Sequence, residues 1–295
     1  MLTYKNFAQY LKERFPLQQF IPLSLIFSLV AAWGIQFYLG TENLWAFVWP
    51  SLALWLFLFR LRLFDEFKDY DHDKEHYPDR PVVRGLIKLV ELKKIVWLIL
   101  ILEVLISLSA GLFSLLMFVV AMFYSLLMFK EFFVAKWLKK HFTVYIASHE
   151  ILLLPLFFYI FALSGATWPE INSPFFWYLF VFLGSQLFLL EVTRKFRPKD
   201  MEIASRDTYT AQYGIKGASI LVTALSFAVL WSYIKIDLFF STSLFYINFC
   251  ICIVLMLFVY KFIKHPSNKG AKQVFNTSIL FAMVADIVFI ISLFI

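Results

Sequence analysis

Residues 95–129 read IVWLILILEVLISLSAGLFSLLMFVVAMFYSLLMF. Two apolar runs, 95–110 and 112–129, meet at Ser109, Ala110 and Gly111, and Glu103 is the only charge in either. A helix of about 20 apolar residues crosses the hydrocarbon core of a bilayer. Outward from this pair the pattern repeats at 17–39, 43–61, 144–163, 174–192, 215–234, 239–260 and 273–295. Nine transmembrane helices are therefore expected, in an all-α integral membrane protein. The first run is long, lacks a small-residue cleavage site and is followed by further runs, so it reads as a span and not a cleaved leader.

Composition agrees. Of the 295 residues, 61% are hydrophobic and only 16% charged, and the mean hydropathy is +0.76. Soluble domains are about 45–50% apolar and 25% charged. A water-soluble fold of this size has too little interior to hide so much apolar surface.

Lys and Arg set the orientation, because basic residues collect on the cytoplasmic side. Every Lys and Arg except Lys235 falls in the N-terminal segment or in the loops, with their helix ends, after the second, fourth, sixth and eighth runs. That alternation places the N-terminus in the cytoplasm and the C-terminus outside, in a cell (inner) membrane. The net charge of +7 is then topological, with some attraction to anionic lipid. No basic segment stands apart from the membrane, which argues against nucleic acid as a partner. Cys250 and Cys252 lie two apart in one apolar run and point to different faces, so neither a disulfide nor a metal site is expected.

The chemistry concentrates in two cytoplasmic segments. The first, 62–94, opens with RLFDEFKDYDHDKEHYPDRP. If the second span stays helical past Phe64, Asp65, Asp69 and Asp73 fall at i, i+4 and i+8 on one stripe. A solvated helix would avoid that repulsion. A divalent cation removes it, and Mg²⁺ binds through a few carboxylates and the phosphate oxygens of its substrate. Asp71 and Glu75 lie on another face and are expected in solvent. Arg62, Lys68 and Arg80 surround the stripe, and cations near a diphosphate stabilise its charge.

The second segment, 191–216, begins at the end of the sixth run with EVTRKFRPKD. Glu191 has Arg194 and Lys195 three and four residues on, on one face. Asp207 follows in the loop. Either Glu191 makes a structural ion pair at a membrane edge, or the segment is a second, more basic diphosphate site. The two segments follow spans two and six. This spacing suggests two four-helix halves plus a ninth helix around a central cavity, with both segments at one cytoplasmic mouth. With 37 Phe and 20% aromatic residues, part of the interior could serve as a greasy channel that stabilises a carbocation. Three further acids, Glu103, Glu150 and Asp286, sit at or within spans, where ionisable groups are functional or hydrogen-bonded between helices.

Asp65-Glu66-x-x-Asp69-x-Asp71-x-Asp73, with Arg80-Pro81 downstream, resembles the first Asp-rich motif of the UbiA superfamily of intramembrane prenyltransferases, roughly N-D-x-x-D-x-x-x-D followed by R-P. Asp65 stands at the Asn position and Glu66 at that of the next Asp. Glu191 and the stretch Asp207-Thr208-Tyr209 through Tyr213-Gly214 resemble the second motif, with Glu191 replacing its first Asp and Arg194 or Lys195 at its next acidic position. The resemblance extends over most of the chain as one membrane-embedded domain, 1–295. It implies that Asp65, Asp69 and Asp73 hold Mg²⁺, and that Arg194, Lys195 and Arg80 grip phosphate, with Arg62, Lys68, Glu191 and Asp207 nearby. It also implies a prenyl group passing from an isoprenyl diphosphate to a hydrophobic, commonly aromatic, acceptor. A terpene cyclase of the same architecture and a non-catalytic lipid carrier are the alternatives. A cytidine-nucleotide alcohol transferase needs a glycine in its acidic signature, and none lies between Asp65 and Asp79.

Overall fold

The computed structural model describes residues 3–41, 43–138, 140–202, 208–240 and 244–295. All the regular structure among them is helical. In chain order the helices are α1 (Tyr4–Arg14), α2 (Leu17–Tyr38), α3 (Val48–Lys68), α4 (Tyr70–His76), α5 (Leu89–Ser109), α6 (Leu112–Phe129), α7 (Ala135–Leu138), α8 (Phe142–Glu150), α9 (Leu153–Leu163), α10 (Trp168–Ile171), α11 (Pro174–Arg194), α12 (Tyr209–Phe240), α13 (Phe245–Lys264) and α14 (Asn268–Ser292).

Their ends follow local chemistry. Thr3 caps α1 by accepting from the Asn6 amide at 3.2 Å, and Ser267 caps α14 by accepting from the Gly270 amide at 3.0 Å. At the start of α5 Glu91 reaches back and accepts from the Lys88 amide at 3.0 Å, which satisfies one of the helix's open donors. Gly111, at φ 107°, makes the reversal that sets α6 back against α5. The fifth run is broken between α8 and α9. Pro155 has no N–H for the Ile151 carbonyl and its ring crowds that group.

Seven of these segments are long and apolar enough to cross a membrane: α2, α6, the α8–α9 segment Phe142–Leu163, α11, α12, α13 and α14. The chain is a multi-pass membrane protein. The other two expected spans are α3 and α5, of 21 residues each. Their charges set them apart by composition. Arg60, Arg62, Asp65, Glu66 and Lys68 lie in α3, and Glu91, Lys93, Lys94 and Glu103 in α5. One charge from each is paired inside the fold. Arg60 Nε meets Glu103 Oε2 at 2.7 Å, and both side chains are fully buried. Arg60 Nη1 also donates to Ser125 Oγ at 3.1 Å, which ties α6 to the pair.

Outward faces stay apolar and bare. Leu98, Ile101, Leu105 and Leu108 on α5 and Leu116, Val119 and Phe123 on α6 are more than half exposed. Nothing among the described residues covers them, and such a face suits contact with lipid.

The helices group into two compact units, 1–140 with 147–167, and 141–146 with 168–295. In the first, α3 packs on α2, α5, α6 and α9. In the second, α11, α12, α13 and α14 pack as a four-helix group. Where two four-helix halves and a ninth helix are expected, the first unit holds α2, α3, α5, α6 and α9, and the second α11 to α14. The fifth run supplies the extra helix, and most of it, α9, is buried against α2, α3 and α6.

Candidate functional site: two charged segments at helix ends

The first segment leaves the apolar part of α3 at Leu61 and runs through α4 to the start of α5. Helical spacing survives the α3–α4 junction. The Asp69 amide donates to the Asp65 carbonyl at 2.9 Å, and the Asp73 amide to the Asp69 carbonyl at 2.8 Å. Asp65, Asp69 and Asp73 therefore keep the one-stripe order read from their spacing, although α3 ends at Lys68. Asp71 and Glu75 are exposed, as expected.

The three carboxylates have different surroundings. Asp73 is buried and forms an ion pair with Arg80, whose guanidinium lies 4.2 Å over the Tyr77 ring. Asp65 is half exposed, with Arg62 Nη1 at 3.3 Å. Asp69 has no ion-pair partner among the described residues. Its carboxyl is held above the ordinary range, chiefly because partial burial strips it of water, with Asp73 adding to the effect and Lys68 opposing it. Glu66, at the aligned acidic position, is turned inward. It is 2% exposed and accepts from Arg14 Nε at 2.6 Å and Arg62 Nη2 at 3.1 Å. Lys68 is drawn to Glu131, the first of three successive non-glycine residues in the left-handed region (Glu131, Phe132 and Phe133, φ 49°, 52° and 61°).

No three His, Cys, Asp or Glu among the described residues are gathered closely enough to hold a metal ion. The donor set suits a hard cation all the same. Asp65 and Asp69 offer carboxylate oxygens, and a cation bound there would complete its shell with phosphate oxygens and water.

In the second segment the predicted ion pairs are present. Glu191 Oε2 accepts from Arg194 Nη2 at 2.6 Å, and Lys195 Nζ lies 2.7 Å from Oε1. Both cations stay partly exposed, Arg194 more than half. Lys195 also sits 5.7 Å over the ring of the buried Tyr209. Thr208 Oγ1 and Thr210 Oγ1 donate to Glu202 at 2.7 and 2.6 Å, and Thr210 Oγ1 accepts from the Arg197 amide at 3.1 Å. These contacts close the base of the loop. Asp207 lies outside the described residues. Gly214, at φ 69° and ψ 168°, breaks the first turns of α12, where the aligned glycine stands.

The sequence model of the UbiA prenyltransferase family matches residues 21–284. The chain belongs to the UbiA prenyltransferase family. A search of curated protein sequences gives no significant match. Two solved structures share the fold of this UbiA-family chain. A digeranylgeranylglyceryl phosphate synthase is 17% identical, with a TM-score of 0.65 over 98% of this chain and 99% of its own. A UbiA homolog from Aeropyrum pernix K1, solved without ligand, is 16% identical, with a TM-score of 0.63 over 90% of this chain and 97% of its own.

Some residues now at the first segment gave no signal in the sequence. Arg14 lies 52 positions from Glu66, Glu13 lies 71 from Arg84, and Glu131 is far from Lys68. Such pairs have no spacing to read. The only cue was a charged N-terminal segment next to a membrane span.

Proposed function

We propose that this chain transfers a prenyl group from an isoprenyl diphosphate to a hydrophobic acceptor within the membrane. The observation that carries the reading is the stripe Asp65–Asp69–Asp73 at the end of α3, in which Asp69 has no ion-pair partner among the described residues. A carboxylate so placed can offer its oxygens to a hard cation. The family resemblance points the same way. A Mg²⁺ ion there would neutralise the diphosphate and make it a better leaving group.

The chain's own residues then have separate tasks. Asp65 and Asp69 would hold the cation. Asp73 fixes the Arg80 guanidinium, which is partly exposed and able to donate to phosphate oxygens. Arg62 neutralises Asp65. In the second segment Arg194 and Lys195 offer donors to phosphate, with Glu191 orienting them. Asp207 is placed with them by sequence alone. When the bond between the allylic carbon and the diphosphate oxygen breaks, the electron pair leaves with the diphosphate. The acceptor forms the new bond to that carbon and releases a proton.

We read α3 and α5 as spanning too, giving nine helices with the N-terminus cytoplasmic. The Arg60–Glu103 pair makes this affordable, since each charge meets its partner inside the protein and not lipid.

The test is direct. Purified protein is incubated with Mg²⁺, allylic diphosphates of several lengths and a lipid extract, and products are read by mass spectrometry. Prenylated lipid from at least one diphosphate is expected. Prenyl products formed equally well without added acceptor would point to a cyclase, and intact diphosphate in every mixture would contradict the reading.

A further inference from the structure

The N-terminal helix α1 lies before the family-matched region, yet it is tied to the Asp-rich segment at Glu66, Asp73, Arg84 and Leu86. Asn6 Nδ2 donates to the Leu86 carbonyl at 3.1 Å. Glu13 Oε1 lies 2.7 Å from Arg84 Nη2. Arg14 Nε donates to Glu66 Oε1 at 2.6 Å, and its Nη2 lies 4.0 Å from Asp73 Oδ2. The contacts reach the end of α3, then α4, then the return towards α5. Tyr10 and Phe15 are fully buried, and Phe15 packs on Phe59 at 4.9 Å between ring centroids. The helix is anchored to α3 by its apolar face and to the loop by its charged one.

The central contact is Arg14, 15% exposed. It serves both inward-turned acids of the stripe region, Glu66 and Asp73. Asp73 in turn meets Arg80 through its other oxygen. Arg80 therefore bonds this carboxylate on one side, and the Arg14 charge faces it at 4.0 Å on the other. Without Arg14, Asp73 would lose one of its two restraints, and Glu66 would keep only Arg62. Two buried carboxylates with less neutralising charge would repel an incoming diphosphate, and Asp73 would draw more of the Arg80 charge away from it.

We propose that Arg14 is a positioning residue of the diphosphate site, and that α1 is a strap which sets this segment's affinity for a metal–diphosphate. Arg14 fixes Asp73, and through it Arg80, and cancels the inward acids so that only Asp65 and Asp69 face the cation. The inference rests on the prenyl-transfer reading above and adds a residue from outside the region that defines the family.

Wild type, Arg14→Gln and Arg14→Lys are compared. Binding of inorganic pyrophosphate with Mg²⁺ is measured by calorimetry, and KM and kcat with an allylic diphosphate. Melting temperature is followed alongside. Arg14→Gln is expected to weaken binding and raise KM roughly tenfold, the effect of one charge-assisted contact, with kcat little changed. Arg14→Lys keeps the charge but loses the fork that reaches both acids, so it should fall between the two. Wild-type affinity and KM in both variants would overturn the proposal, whatever their melting temperatures. So would equal losses in Gln and Lys that follow melting temperature alone. If the Gln variant does not fold, Arg14→Lys decides by the same readouts, weakened binding supporting the proposal and wild-type binding overturning it. Absence of Mg²⁺-dependent pyrophosphate binding in wild type is a different result, and it would remove the prenyl-transfer reading itself.

Discussion

Arg60 on α3 and Glu103 on α5 form an ion pair with no exposed surface: Nε to Oε2 is 2.7 Å, and Nη2 to Oε1 is 3.3 Å. The guanidinium also lies 4.4 Å over the Phe57 ring. Each charge is buried only because the other is there. A pair of this kind is costly to break and cheap to replace as a whole.

Glu103→Ala should therefore destabilise the protein by about 3–5 kcal/mol, read as melting temperature in detergent. The double variant Arg60→Met/Glu103→Leu should recover most of that loss. A double variant no better than the single would mean that the pair adds net stability beyond mutual neutralisation.

The second prediction concerns topology. Reporter fusions at Lys136 and Glu170 flank the α8–α9 segment and should report opposite sides, Lys136 cytoplasmic. Both on one side would contradict the nine-span arrangement.

Much of this was legible beforehand. The Gly111 junction between α5 and α6 falls where Ser109-Ala110-Gly111 divides two apolar runs, and α6 begins and ends where the run did. The i, i+4, i+8 order of Asp65, Asp69 and Asp73 survived because backbone hydrogen bonds bridge the α3–α4 junction. Glu191 pairing with Arg194 and Lys195 was legible because it is local. What spacing could not show was which carboxylates turn inward. Glu66 and Asp73 are neutralised by Arg14 and Arg80, and that depends on tertiary packing. The pairing of Arg60 with Glu103 was hidden for the same reason. Read singly, each looked like a charge near or inside a span.

The third prediction separates a phosphate role from a structural one in the second segment. The Glu191 pairs are partly exposed, and such pairs contribute about 0–1 kcal/mol to stability. Arg194→Ala and Lys195→Ala should leave melting temperature nearly unchanged. If the cations meet phosphate, each variant should lose about tenfold to a hundredfold in diphosphate affinity. Glu191→Gln should be milder than Asp69→Asn, since an amide still accepts a hydrogen bond but is a poor metal ligand. Unchanged affinity in all three second-segment variants would assign Glu191 to structure alone.

The fourth concerns pH. Asp69 titrates above its ordinary value in the folded protein. The folded state thus holds more protons than the unfolded one between the two pKa values, and in the absence of metal stability falls as pH rises through that window. Mg²⁺ binding reverses the preference by favouring the carboxylate. Added Mg²⁺ should raise the melting temperature at neutral pH, and the gain should shrink as pH drops below the Asp69 pKa. Asp69→Asn should remove part of the pH dependence of that gain. A Mg²⁺ effect of equal size at every pH would separate metal binding from Asp69.

The central claim is that Asp69 belongs to a metal–diphosphate site that drives prenyl transfer. The most direct measurement is the rate of diphosphate release from an allylic diphosphate in the presence of lipid acceptor, for wild type and for Asp69→Ala of confirmed fold, each with Mg²⁺ and with EDTA. The account predicts release by wild type with Mg²⁺ only, and none above background from Asp69→Ala in either condition. Undiminished release by Asp69→Ala, or by wild type in EDTA, would contradict it.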